Sequence, residues 1–363
     1  MSASKNQKKP VEKQSQCSVR SRGISSILGM LAIVMAIQVS SPSLRADSET
    51  QEPIQSHGDV LVVVGASGQP AYAEAFNRAA KSWEKSGKEG GARVEVLGLD
   101  EPESEPSVSG STREQLEAWF ATNSETSSEL LWLVFIGHGS YDGRTAKLNL
   151  RGPDVSAAEL RQWLQPVDRP MVIVHGGAAS APFVNALSAP NRIIVSATES
   201  GHEINYARFG TRFAAAIADP AADIDRDGQT SVLEAFVSAS HHTETFYEEQ
   251  NRLSTEHALI DDNGDGQGTP FDWFNGTRLA KRPQDETSVP DGSRARLISL
   301  IPSPEEQALT EEQRLKRAHL ESLVEQLRTR KASLPEIVYY QQLEDLFRKL
   351  SVVYGFGTEE PAE

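Results

Sequence analysis

The chain has 363 residues, 38% of them apolar, and a formal net charge of −15. That length and apolar content allow one large domain or two smaller ones, each with a core. The acidic excess repels nucleic acid and anionic lipid and attracts cations, so no nucleic-acid partner is expected.

The amino terminus has the order of a secretory signal. Lys5, Lys8, Lys9, Lys13, Arg20 and Arg22 form a basic region, residues 24–39 are apolar, and small residues lead to Ala46. Basic, apolar and small segments in that order predict export and cleavage, with 1–46 as the signal peptide. The apolar stretch is short for a membrane span, which needs about 20 residues. No stable span is expected after cleavage, and the mature chain is expected outside the cytoplasm, periplasmic or secreted. The single cysteine, Cys17, falls in the removed segment, so disulfides contribute nothing to the mature fold.

Residues 47–57 are polar and read as a flexible lead-in. The run 60–64 is continuously apolar and predicts a buried strand. Residues 71–83 carry helical spacing, 93–97 form a second strand, and 99–110 are rich in Glu, Ser and Pro and read as a loop. Ser111 with Glu114, and Ser156 with Glu159, have the spacing of capping boxes that open helices. Further apolar strands run over 130–136, 171–174 and 192–195. Strands alternating with helices predict an α/β fold: three layers, with a mostly parallel sheet covered on both faces. In such sheets the ligand site lies beyond the carboxyl ends of the strands. This domain is expected over 58–280, followed by a polar linker over 281–300. Residues 301–354 then read as a helical hairpin. Leu315, Leu320, Leu323 and Leu327 line its first helix, and Ile337, Tyr340, Leu343, Phe347 and Leu350 its second.

The strongest chemical motif lies between two helical patterns, at 211–218 and 234–247. It runs Asp223, Asp225, Asp227, Gly228, Gln229, Ser231, Glu234. Calcium takes six to eight oxygen ligands in a tightly turning loop. Carboxylates at loop positions 1, 3 and 5, glycine at 6 and glutamate at 12 meet both needs. Gln229 would offer its main-chain carbonyl, and Ser231 its side chain or a water. Thr230 stands where a branched apolar residue is usual. A second loop, Asp261, Asn263, Asp265, Gly266, Gln267, Asp272, fills the same positions with a shorter final Asp. It is expected either to be a second calcium site or an Asn-Gly/Asp-Gly turn. Ca2+ is the one cofactor expected.

The third strand ends at Gly137-His138-Gly139, and the fourth runs through His175 into Gly176-Gly177-Ala178-Ala179-Ser180-Ala181. With 194–200, these segments resemble the legumain-like and caspase-like cysteine peptidases over roughly residues 58–250. The resemblance implies a caspase-like three-layer sandwich with His138 as catalytic base and a cysteine within an Ala-Cys-x-Ser-Gly pattern. Here Ala178 occupies the nucleophile position. A thiolate attacks because it is ionised and polarisable, and a methyl group is neither. Ser180 is the nearest hydroxyl, but in the pattern it is not the nucleophile. Three readings follow. The first is a secreted calcium-binding pseudopeptidase that binds a peptide or protein in the old groove. The second is a hydrolase using Ser180 with His138. The third is a structural protein stabilised by calcium.

Overall fold

The apolar runs become the middle of one sheet. The computed structural model describes residues 58–99, 110–124, 126–281 and 291–356. The expected signal peptide, the lead-in and nearly all of the 99–110 loop lie outside the described residues. Strands β1 (Gly58–Val64), β2 (Arg93–Leu97) and β3 (Leu130–Ile136) come first. Three short strands follow, β4 (Gly139–Tyr141), β5 (Ala146–Leu148) and β6 (Val155–Ser156), and form a small antiparallel sheet of their own. Then come β7 (Met171–His175), β8 (Arg192–Ser196), β9 (Leu259–Asp261) and β10 (Thr269–Pro270). The seven-stranded sheet has the order β10-β9-β8-β7-β3-β1-β2. Its β2-to-β8 part is parallel, and β9 and β10 add an antiparallel edge.

Helices cover both faces because every central strand is apolar in both directions. Along β1, Val60, Val62 and Val64 face one side while Leu61 and Val63 face the other. The first side packs against α1 (Pro70–Glu89), α5 (Phe209–Ala216) and α6 (Val232–Glu249) through Trp83, Phe213 and Phe236. The second packs against α2 (Thr112–Thr122), α3 (Ala157–Trp163) and α4 (Ala181–Leu187) through Leu116, Leu160 and Phe183. The predicted three-layer α/β fold is therefore present. Both predicted capping boxes form. Ser111 and Ser156 each accept the amide of the glutamate three residues on, and each glutamate accepts the serine amide in return.

The carboxy-terminal region holds α7 (Pro304–Ala308), α8 (Glu311–Thr329) and α9 (Glu336–Val353). The last two form the expected hairpin around Leu320, Val353, Leu346 and Leu350. Leu343 is only half-buried, and Tyr340 and Phe347 are exposed. The segment expected as a linker behaves differently. Residues 282–290 lie outside the described residues, but 291–300 are built into the domain. Ala295, Ile298 and Leu300 are buried in the core beside α6. The Asp291 carboxylate accepts the amides of Asp262 and Asn263, and Asp262 accepts those of Arg294 and Ala295. The polar composition of this stretch reflects these buried hydrogen bonds, which a buried carboxylate requires.

Among the described residues, no helix is long and apolar enough to cross a membrane.

Candidate metal centre and the groove beside His138

The loop from Asp223 to Glu234 joins α5 to α6, with one short 3-10 turn (Pro220–Ala222) at its entry. Asp223 organises its first half. One carboxylate oxygen accepts the amides of Arg226 and Asp227, and the other accepts that of Gly228. Wrapping the chain so tightly around one carboxylate needs positive φ at Arg226 (62°) and Gly228 (88°), and a glycine adopts this at no steric cost. The result gathers the carboxylate oxygens of Asp223, Asp225 and Asp227 within 4.8 Å of one another.

Three carboxylates this close disfavour their own ionisation. Asp225 is pushed up to about 6, first by its partial removal from water and then by repulsion from Asp227, Glu234 and Asp223. Asp227 is raised for the same two reasons, against a lowering from its bonds to Gln229. A divalent cation at this point would reverse both effects. Gln229 stands beside the cluster, its amide donating to Asp227 at 3.1 Å.

Glu234 and Ser231 are placed otherwise than the ligand pattern expects. Ser231 is the N-cap of α6 and Glu234 its third residue, and they form a reciprocal capping box. Glu234 is 2% exposed, with one oxygen on the Ser231 amide and hydroxyl and the other on the amides of Ile224 and Asp225. A buried carboxylate takes the nearest donors, and here these are the loop's own amides. It thus closes the loop from behind, outside the group of three aspartates. Thr230 is buried and donates to the Asp219 carbonyl, which accounts for a polar residue at an apolar position.

The second loop is the connection of the β9–β10 hairpin. Asp261 accepts the amides of Gly264 and Gly266, Asn263 that of Asp265, and Asp265 that of Gln267. These are turn-forming bonds of the Asn-Gly/Asp-Gly kind. Asp272 pairs instead with Lys281. Among the described residues, the carboxylates of Asp261, Asp265 and Asp272 form no convergent group. A hairpin cannot return its twelfth residue to the loop centre as a following helix does.

His138 and the 175–181 loop lie at the carboxyl ends of β3 and β7. His138 follows β3 directly and is half-buried. Its Nε2 is 3.3 Å from the Ser67 carbonyl oxygen, which can only accept, so this nitrogen carries the proton in the neutral ring and Nδ1 has the lone pair. The rings of Tyr72, Phe76 and Tyr206 surround it at 4.8, 5.2 and 5.9 Å between centroids. No motif in the sequence marks these three, which come from α1 and the β8–α5 connection. Ala178 lies alongside. A Cβ on Gly139 would stand 2.1 Å from the Ala178 carbonyl oxygen, so the second glycine of Gly-His-Gly is required by this close approach. Ala179 has φ 52° and donates its amide to the Glu203 carbonyl. A strained non-glycine residue next to Ala178 fits a loop shaped for function rather than for packing alone.

Ser180 is fully buried and turned into the fold. Its Oγ accepts the amides of Ala197 and Thr198 and shares a hydrogen bond with Thr198 Oγ1. Thr198 Oγ1 in turn accepts the amides of Ser180 and Ala181. The two hydroxyls tie the 178–181 loop to the end of β8, and no hydrogen bond joins Ser180 to His138. Nearby, Glu199, Glu203 and His257 form another convergent group in which His257 Nδ1 pairs with Glu203.

His175 is buried between Phe135 and Phe183. Its Nδ1 accepts the Gly177 amide, and its Nε2 has no hydrogen-bond partner. Burial lowers it from 6.5 to about 3. A histidine held neutral in the fold but free to protonate when unfolded costs stability as pH falls below 6.5. The slope approaches about 1.4 kcal/mol per pH unit until the folded value is reached. Asp225 and Asp291, both raised, act in the opposite direction as pH falls. The difference between wild type and His175→Asn therefore isolates the histidine. In urea titrations the variant should lose relatively less stability between pH 6.5 and 4.5. Parallel pH profiles would refute the buried neutral ring.

No family model matches the chain, and no curated protein matches it significantly. Among solved structures, it is similar to the Drosophila initiator caspase Dronc, with 15% identity and a TM-score of 0.39, over 59% of this chain and 82% of the other. It is similar to caspase-1 from Spodoptera frugiperda, with 10% identity and a TM-score of 0.37, over 58% and 87%. Protein GSU0716 from Geobacter sulfurreducens aligns with 10% identity and a TM-score of 0.36, over 56% and 92%.

Proposed function

We propose that the chain is an exported, calcium-binding pseudopeptidase of the caspase- and legumain-like type, whose groove beside His138 binds a segment of peptide or protein. The observation that carries the reading is the pairing of His138 with Ala178. His138 stands at the carboxyl edge of the sheet, the Ala178 main chain packs against its turn, and the position where the resemblance expects a nucleophile carries only a methyl group. The serine-hydrolase reading has little support, because Ser180 is buried, fully engaged and not bonded to His138. Tyr72 and Tyr206, half-buried beside His138 with Phe76 buried behind them, supply rigid apolar surface of the kind that anchors a peptide side chain. The aspartate cluster of the 223–234 loop is the place for calcium, with Asp223, Asp225 and Asp227 as ligands and Gln229 adding its carbonyl.

The mature protein should hydrolyse no Asn- or Asp-directed peptide, and neither thiol- nor serine-reactive probes should label it. It should retain members of an immobilised peptide library, and Tyr206→Ala should lose them. Cleavage abolished by His138→Ala would overturn the pseudopeptidase reading. A library with no binder would leave calcium-dependent structure as the only role.

A further inference from the structure

We infer that calcium in the 223–234 loop locks the carboxy-terminal hairpin onto the sheet domain, and that the hairpin loosens when the ion leaves. The inference rests on the calcium reading of that loop. Its starting point is where the hairpin is fastened. The exit of the loop is paired with the segment that leads to the tail: the Val232 amide donates to the Ile298 carbonyl at 2.8 Å, and Ser231 bridges Ser299. Four residues on, the Ser303 amide donates to Oε1 of Gln229 at 3.3 Å. Ser303 is the N-cap of α7, and its Cβ lies over Gly228, 3.4 Å from where a Cβ would stand there. The tail is thus attached to the loop positions that turn around the proposed ion.

What lies behind this attachment is polar. Glu306 of α7 is buried and paired with Arg317 of α8, which also approaches Glu321 at 3.7 Å. Glu321 is within electrostatic reach of Asp227 and of Arg296. The apolar cluster of the hairpin, Leu309, Leu320 and Val353 with Leu346 and Leu350, is drawn wholly from the tail and is separate from the core of the sheet domain. Beyond Ser303 the docking therefore depends on hydrogen bonds and charge more than on shared apolar burial.

The aspartate cluster of the loop, through Asp227, stands within electrostatic reach of Glu321 in a tail that also brings Glu306. Arg314 and Arg317 pair with the tail glutamates rather than with the three aspartates, and Arg296 lies near Glu321. A bound divalent cation removes two units of the negative charge at the contact. The same ion takes the main-chain carbonyl of Gln229 and so fixes the residue whose side chain holds Ser303. Binding and docking then favour each other, and by linkage each changes the other by the same factor.

Hydrogen exchange on the full mature chain, in calcium, in magnesium and in chelator, reads the effect. Amides of α8 and α9 should exchange at least tenfold faster in chelator than in calcium, while those of β3 and β7 stay equally protected. Gln229→Ala keeps the carbonyl for the ion and loses the side chain that holds Ser303, so it should speed α8 exchange even in calcium. By reciprocity, Leu320→Ala, which opens the hairpin's apolar cluster without adding charge or removing a ligand, should weaken calcium affinity several-fold by calorimetry. If calorimetry shows calcium binding but tail exchange is the same in calcium and chelator, the coupling is wrong and the calcium loop stands. If calorimetry shows no binding, both fall.

Discussion

Asp225→Asn should stabilise the calcium-free protein and make it indifferent to calcium. The two halves of this result have one cause. Without an ion, Asp225 is held up to about 6 by its removal from water and by Asp227, Glu234 and Asp223, so its charge is a liability in the folded loop. A neutral amide of the same shape relieves the repulsion. With an ion, the same carboxylate becomes a ligand, and its loss removes the gain from binding. For a ligand of the native state alone, that gain is RT ln(1 + [L]/Kd), about 2.7 kcal/mol at a hundredfold excess over Kd. In a domain of this size it raises the thermal midpoint by roughly 4 °C. Wild type should thus melt higher in calcium than in chelator and change little in magnesium, which dehydrates reluctantly. Asp225→Asn should melt at one temperature in all three, at or above wild type in chelator. A wild-type midpoint unmoved by calcium would remove the ion from the account. A variant that still responds fully would place the ion elsewhere.

Ser180→Ala should be destabilising although it deletes one oxygen. That oxygen is the acceptor for the amides of Ala197 and Thr198 in a fully buried site and the partner of Thr198 Oγ1. The Ala197 amide keeps its bond to the His175 carbonyl, so the Thr198 amide is the donor left unpaired, at a cost of about 1–3 kcal/mol. The urea midpoint should fall accordingly, and Thr198→Val should behave similarly because it strands the amides of Ser180 and Ala181. The double variant should cost less than the two singles added, since they share partners. A stable Ser180→Ala would show that the hydroxyl is free of structural duty, and the hydrolase reading would then regain its nucleophile.

The features legible in the sequence rest on local pattern. Strands such as Val60–Val64 and Leu130–Ile136 are apolar on both faces, and only a sheet covered on both sides buries them. The capping boxes at Ser111 and Ser156 act within four residues and were legible for that reason. The same holds for Asp223, Asp225 and Asp227, whose convergence needs only a tight turn with Gly228. The rest depends on competition between local partners or on partners distant along the chain. Glu234 faces the loop's amides instead of joining the aspartates, because the capping box and the turn at Ile224 both compete for its oxygens. Asp272 leaves the second loop because β9 and β10 form a hairpin there. The strands β4 to β6 have too few residues to show a period. The aromatic wall at His138 joins α1 to the β8–α5 connection, 134 positions apart between Tyr72 and Tyr206. Ser180 is buried by Thr198, and residues 291–300 are drawn into the core by Asp262 and α6. At the aromatic wall, at Ser180 and over 291–300 the deciding hydrogen bond or contact joins groups far apart along the chain, and no short window of sequence contains both.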